Sequence, residues 1–269
     1  MGNYAPNEKM DWVGSFFYAV SIALITLGST RVADGWQGVT IMVVGIVLLV
    51  YFLISQKSRQ YPLLDVKEFF GNRVFFFSSI AALGNYASTF GMTFFMSLYL
   101  QYNLGLSARA AGLTLLVQPL FQVLVSPFVG RLSDKHHPGK IATIGVILTT
   151  VGLLIASFVM GMHTELWKII IVLVFIGIGY GVFITPNVVL TLGSVPVERR
   201  GLASAMVGTM RTLGMIVSMT AITIIFAFFM GGHQVNAESL DSFLYCMRFG
   251  MIVFAVFSFL GVFSSFKRL

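Results

Sequence analysis

The sequence predicts an all-α, polytopic membrane protein with about eight transmembrane helices. Hydrophobic residues make up 57% of the chain and charged residues only 10%, against about 25% charged in a soluble domain. Apolar runs recur along the whole length, and Gly, Pro and charged residues gather in the gaps between them. About 20 apolar residues at 1.5 Å each cross the hydrocarbon core. Eight runs meet that length, at 12–30, 38–55, 74–100, 108–129, 141–162, 167–193, 202–230 and 243–266.

The first two runs form a hairpin-like leader, 1–55. The connector that follows, 56–73, looks amphipathic, with Leu63, Leu64, Val66, Phe69 and Phe70 interleaved with Asp65, Lys67 and Glu68, as in a short helix lying at the headgroups. The remaining six runs form one block, 74–269. Their number suggests two inverted triples, 74–162 and 167–266, an arrangement common in transporters.

Within that block the polar residues are patterned. The third run carries Asn85, Thr89, Thr93 and Ser97 at a spacing of four, the fourth carries Gln118 and Gln122 at i and i+4, and the sixth carries Tyr180, Asn187 and Thr191. Such stripes avoid lipid, either through hydrogen bonds between helices or by lining a polar path. Pro119 and Pro127 interrupt the fourth run and Pro186 the sixth. Gly177, Gly179 and Gly181 precede Pro186, as required for close packing or for a gating bend. In the eighth run Cys246 reads as a small buried hydrophobe, and Arg248, near the span's end, as a snorkelling side chain.

Arg211 is the charge set deepest in a run. It follows the helix start near Leu202 by nine residues, about 13 Å, and shares a face with Ser204, Gly208, Met215 and Ser218. A lipid-facing guanidinium there is costly. It either faces a substrate path or gate, or snorkels to the interface as an anchor.

Charge sets the direction of the chain. Basic residues fill alternate gaps: Lys57, Arg59, Lys67 and Arg73, then Arg131, Lys135 and Lys140, then Arg199 and Arg200, and finally Lys267 and Arg268. The gap before the last run is acidic through Glu238 and Asp241. The positive-inside rule places both termini in the cytoplasm, in a plasma-membrane protein whose surroundings are the lipid bilayer. The same rule accounts for the +7 net charge, and no aromatic-basic patch points to nucleic acid. No nucleophile–base pair, phosphate loop or metal cluster marks an enzyme or a cofactor site, and the adjacent His136 and His137 make a poor metal site.

The gap Gly130-Arg131-Leu132-Ser133-Asp134-Lys135-His136-His137-Pro138-Gly139-Lys140 resembles the cytoplasmic loop signature of the major facilitator superfamily. Pro62-Leu63-Leu64-Asp65, Phe69-Phe70-Gly71-Asn72-Arg73, Leu104-Gly105-Leu106-Ser107, Pro186-Asn187 and Arg200-Gly201-Leu202-Ala203-Ser204-Ala205 with Arg211 resemble, collinearly, its fourteen-helix drug:proton antiporter branch. The resemblance implies that the leader corresponds to that branch's two linker helices and 74–269 to its second six-helix half. It gives Gly130, Asp134, Lys135 and Lys140 the role of a conformational latch, although His136-His137-Pro138 departs from the usual pattern there. It also makes Asn85, Thr89, Thr93, Tyr180 and Asn187 candidates for the lining of a central cavity, because the third and sixth runs take the places of the family's cavity-lining helices. Gln118, Gln122 and Arg211 join them by their own spacing and depth. No Asp or Glu lies well inside a run, and the branch's proton-carrying carboxylates belong mainly to the first half. The expectation is therefore a drug-exporter type of transporter, proton-coupled when complete, present as a C-terminal part. It would need a separate N-terminal half or a second copy of itself. The rival expectation is a membrane fragment or accessory subunit that transports nothing by itself.

Overall fold

The computed structural model describes residues 11–31, 35–57, 69, 71–231, 235 and 239–269, the side chain of Thr30 excepted. Most of the connector expected at 56–73, and Glu238, lie outside them. The long elements are all helices: α1 (Trp12–Thr30), α2 (Trp36–Gln56), α3 (Arg73–Leu98), α4 (Ala108–Leu115), α5 (Val117–Lys135), α6 (Pro138–Val159), α7 (Leu166–Gly193), α8 (Arg200–Met230) and α9 (Leu240–Lys267). Among the described residues, seven helical stretches are long and apolar enough to cross a membrane, with α4 and α5 counted as one. The stretch outside the seven is α3, whose 26 residues reach about 39 Å. Its Ser78, Ser79, Asn85, Ser88 and Thr89 make it less apolar, and all five are buried against protein. A helix enclosed by its neighbours does not need a lipid-compatible surface.

Helix limits follow from local chemistry. Asp11, Asn72 and Ser107 each accept a hydrogen bond from the backbone N–H three residues on, at 2.8, 3.0 and 3.2 Å, which starts α1, α3 and α4. The step between α4 and α5 falls at Leu116. Pro119, three residues further on, cannot donate to the carbonyl of Leu115 and crowds it. Past α3 the chain opens into a wider turn, in which Leu104 N–H reaches back five residues to the Tyr99 carbonyl at 3.2 Å. Gly231 ends α8 at φ 56°, the left-handed cap that a side chain disfavours.

The leader hairpin is tied at its open end, where Gln56 Nε2 donates to Asp11 Oδ2 at 2.8 Å. It leans on α8 through Tyr18, Phe52 and Met206. In the six-span block, the packing pattern repeats when the two triples are exchanged. α3 packs on α9 and α8, α7 packs on α6 and α5, α6 meets α9, and α3 meets α7. Exchanging α3 with α7, α5 with α8 and α6 with α9 reproduces every one of those pairings, so the two triples expected from the number of spans appear in the packing. Because three spans separate partners, the two triples run in opposite directions.

Candidate functional site: a four-helix wall

The pairings place α5, α7, α3 and α8 side by side, with α6 and α9 behind α7 and α3. Glycine sets how closely they approach. A Cβ at Gly177 would meet the Gln118 carbonyl at 2.5 Å, one at Gly181 the Gln122 carbonyl at 3.0 Å, and one at Gly179 the Thr149 N at 2.8 Å. These three residues therefore fit α7 against α5 on one side and α6 on the other. This is the packing reading of the glycine run. Gly214 does the same for α8, its Cβ position lying 2.9 Å from Tyr86 Cβ on α3.

That close approach assembles a polar group across three helices. The rings of Tyr86 on α3 and Tyr180 on α7 meet edge-on, centroids 6.1 Å apart. Arg211, one turn before Gly214, is exposed and within electrostatic reach of both phenols. Thr209, two residues away and so about 200° round the helix, hydrogen-bonds to Tyr18 of the leader at 2.5 Å. Arg211 thus faces away from the leader and toward the wall. Tyr86 was not singled out by the sequence, because its phenol gains meaning only when α3, α7 and α8 are brought together.

The other cavity candidates divide into accessible and enclosed residues. Thr93 and Gln122 are half-buried, with Thr93 Oγ1 donating to the Thr89 carbonyl at 2.9 Å and to Gln118 Oε1 at 3.4 Å. Gln118 and Thr89 are buried. Asn85 is wholly enclosed, and neither polar atom of its amide has a hydrogen-bond partner among the described residues. The stripe expected to line one face is therefore corrected at Asn85, because spacing of four drifts round a 3.6-residue helix and carries it into the bundle.

Asn187 is also corrected from lining to interior. Its Nδ2 donates to the Ser78 carbonyl at 3.3 Å, and its Oδ1 accepts from Arg268. Arg268, read from sequence only as a positive-inside charge, is 4% exposed. It donates to Ser78 Oγ at 3.1 Å and to Ser265 Oγ at 2.6 Å, while its Nε has no partner among the described residues. Burial pushes this guanidinium down to about 10, and all its partners are neutral. The group fastens the ends of α3, α7 and α9 together.

The signature segment also differs from the loop expected. α5 continues through Gly130, Asp134 and Lys135, and α6 starts at Pro138, so only His136 and His137 lie between helices. Lys135 in the last turn suits the helix dipole. His137 Nδ1 accepts from Gly139 N–H at 3.1 Å, so this imidazole caps α6. Asp134, Lys135 and Lys140 are exposed, and none forms an ion pair among the described residues. A Cβ at Gly130 would meet open space. At the other end of the bundle Arg248 does not simply snorkel. Its Nε donates to the Met160 carbonyl at 2.8 Å, satisfying the C-terminal end of α6.

Comparison with known proteins agrees with this architecture. The family model described as Major Facilitator Superfamily matches residues 10–219 and 78–268. The riboflavin transporter RibZ of Clostridioides difficile is 29% identical over 210 residues, covering 77% of this chain and 44% of the relative. The lincomycin resistance protein LmrB of Listeria monocytogenes is 30% identical over 220 residues, covering 77% and 46%. The multidrug efflux pump LfrA of Mycolicibacterium smegmatis is 30% identical over 232 residues, covering 84% and 45%. This chain spans less than half the length of those relatives.

Proposed function

The chain belongs to the major facilitator superfamily, and from that premise we propose that it supplies one wall of a transport path for small amphipathic or hydrophobic organic solutes. The observation that carries this reading is the exposed Arg211, turned from the leader toward the Tyr86–Tyr180 pair. The exposed guanidinium and the partly exposed Tyr180 ring, packed on the buried Tyr86, provide hydrogen-bond donors and an aromatic surface for an amphipathic molecule. The names of RibZ, LmrB and LfrA, which refer to riboflavin, lincomycin resistance and multidrug efflux, favour organic solutes and export.

Alternating access requires two bundles that rock about a site between them. The six-span block provides one, so the second comes from an N-terminal six-helix half or from another copy. Proton coupling would then reside in carboxylates of that second wall. On this reading the protein lies in the plasma membrane with both termini and the basic end of the bundle in the cytoplasm, 1–55 acting as a leader and 74–269 as the half-transporter domain. The test is reconstitution of the chain in vesicles with an imposed pH gradient and a fluorescent amphipathic dye. Saturable efflux is expected only when a second bundle is supplied. Efflux by a verified monomer would overturn the half-transporter reading, and no efflux by any assembly would favour the accessory-subunit reading.

A further inference from the structure

We propose that the groove between α3 and α9, at the basic end of the bundle, binds an anionic phospholipid. Arg73 opens α3 and Lys267 closes α9, and the two helices pack tightly in opposite directions. Their cations therefore arrive at the same end, and both are exposed. Both also address one ring. Arg73 Cζ lies 6.0 Å and Lys267 Nζ 5.7 Å from the centroid of Phe77, and Lys267 Nζ lies 4.7 Å from that of Phe263. Neither has a carboxylate partner among the described residues. Arg268, next in sequence, is turned inward to Ser78, Asn187 and Ser265. Two like charges gathered on one phenyl ring repel each other, and an anion placed between them reverses the sign of that interaction.

The residues below each cation determine which anion fits. Arg73 and Phe77 stand at i and i+4 on α3, and Phe259, Phe263 and Lys267 stand at successive i+4 steps on α9. Each set forms a ridge along its helix. Phe259 and Phe263 are 60% and 57% exposed, so an apolar ridge runs from the cation pair into the span. A phosphodiester head with an acyl chain matches both parts, whereas free phosphate uses only the first. The site lies behind the wall that carries Arg211 and is independent of the transport reading.

The purified full chain, in detergent, is titrated with phosphatidylglycerol or with phosphatidylcholine of the same acyl chains, and retained lipid is counted by native mass spectrometry. Two basic residues at a lipid surface should favour phosphatidylglycerol by about tenfold or more. Arg73→Gln and Lys267→Gln should each reduce that preference, and the double variant should nearly abolish it. Phe77→Leu with Phe263→Leu keeps both charges and should weaken retention of either lipid. Lys140→Gln, at the same end of the bundle, should leave the lipid preference unchanged. Unfolding temperature is checked first, and if the double variant does not fold, the single variants decide. An undiminished preference in the charge variants, an equal loss in Lys140→Gln, or displacement of the lipid by inorganic phosphate would each overturn the proposal.

Discussion

The hydroxyl of Tyr18 lies 2.5 Å from Thr209 Oγ1, and this contact orients α8. It commits one side of the helix to the leader hairpin, so the opposite side, with Arg211, is left to the wall. Sequence periodicity alone groups Arg211 with Ser204, Gly208 and Ser218, but cannot say which neighbour that face meets. The leader answers the question by occupying the other side.

For Arg211 the expected outcome is a separation of yield from activity. Because the side chain is exposed and has no ion-pair partner among the described residues, Arg211→Leu should leave extraction yield and unfolding temperature near those of the unaltered protein. Transport per molecule by the complete assembly should fall about tenfold or more, the scale of one lost charge-assisted contact. Arg211→Lys should recover part of it. Undiminished transport by Arg211→Leu at normal yield would remove this residue from the path.

The glycines of the interfaces predict opposite effects from the same change. At Gly145 a Cβ would stand 2.4 Å from the backbone N of Phe183, whereas at Gly112 it would meet nothing within 4 Å. Gly145→Ala must force α6 and α7 apart and should cost about 1–3 kcal/mol. Gly112→Ala lies in open space on α4 and should be neutral or add up to about 1 kcal/mol through helix propensity. Thermal unfolding in detergent distinguishes the two, and equal shifts would argue against the α6–α7 contact.

Much of the fold was legible because hydrocarbon allows so few solutions. Runs at 12–30 and 167–193 reappear as Trp12–Thr30 and Leu166–Gly193 almost unchanged, since apolar length and helix are coupled in lipid. The misreadings arise at ends and interiors. Gly130–Lys135 carries loop-like composition yet continues α5, because exposed basic residues are also what a helix C-terminus favours. Asn85, Asn187 and Arg268 are polar side chains whose role depends on which helix lies opposite, and no local pattern encodes that. Tyr86 and Tyr180 are 94 positions apart and meet only through the α3–α7 pairing.

Orientation rests on charge and can be checked at described positions. Cys246 is buried, so it should give little background with an impermeant thiol reagent. In intact cells His163→Cys should react, while Lys135→Cys and Arg200→Cys should react only after permeabilisation. All three lie at or beside helix ends. Labelling of Lys135→Cys from outside would reverse the assignment of the basic end to the cytoplasm.

The buried group at Arg268 predicts non-additive stability. Asn187→Ala removes one acceptor from a guanidinium that is 4% exposed and already has an unpaired Nε, which should cost about 1–3 kcal/mol. Arg268→Met removes the charge itself. Asn187 Nδ2 keeps its 3.3 Å bond to the Ser78 carbonyl and Ser265 its 2.6 Å contact with Thr143, while Asn187 Oδ1 and Ser78 Oγ lose the guanidinium that donated to both. That change should cost about as much as Asn187→Ala, about 1–3 kcal/mol, because each leaves buried polar atoms of the Arg268–Ser78–Asn187 group unpaired. With Arg268→Met already present, Asn187→Ala should lose most of its effect. Unfolding of the four proteins in one detergent closes the double-mutant cycle, and strictly additive costs would show that Arg268 and Asn187 do not act as a unit.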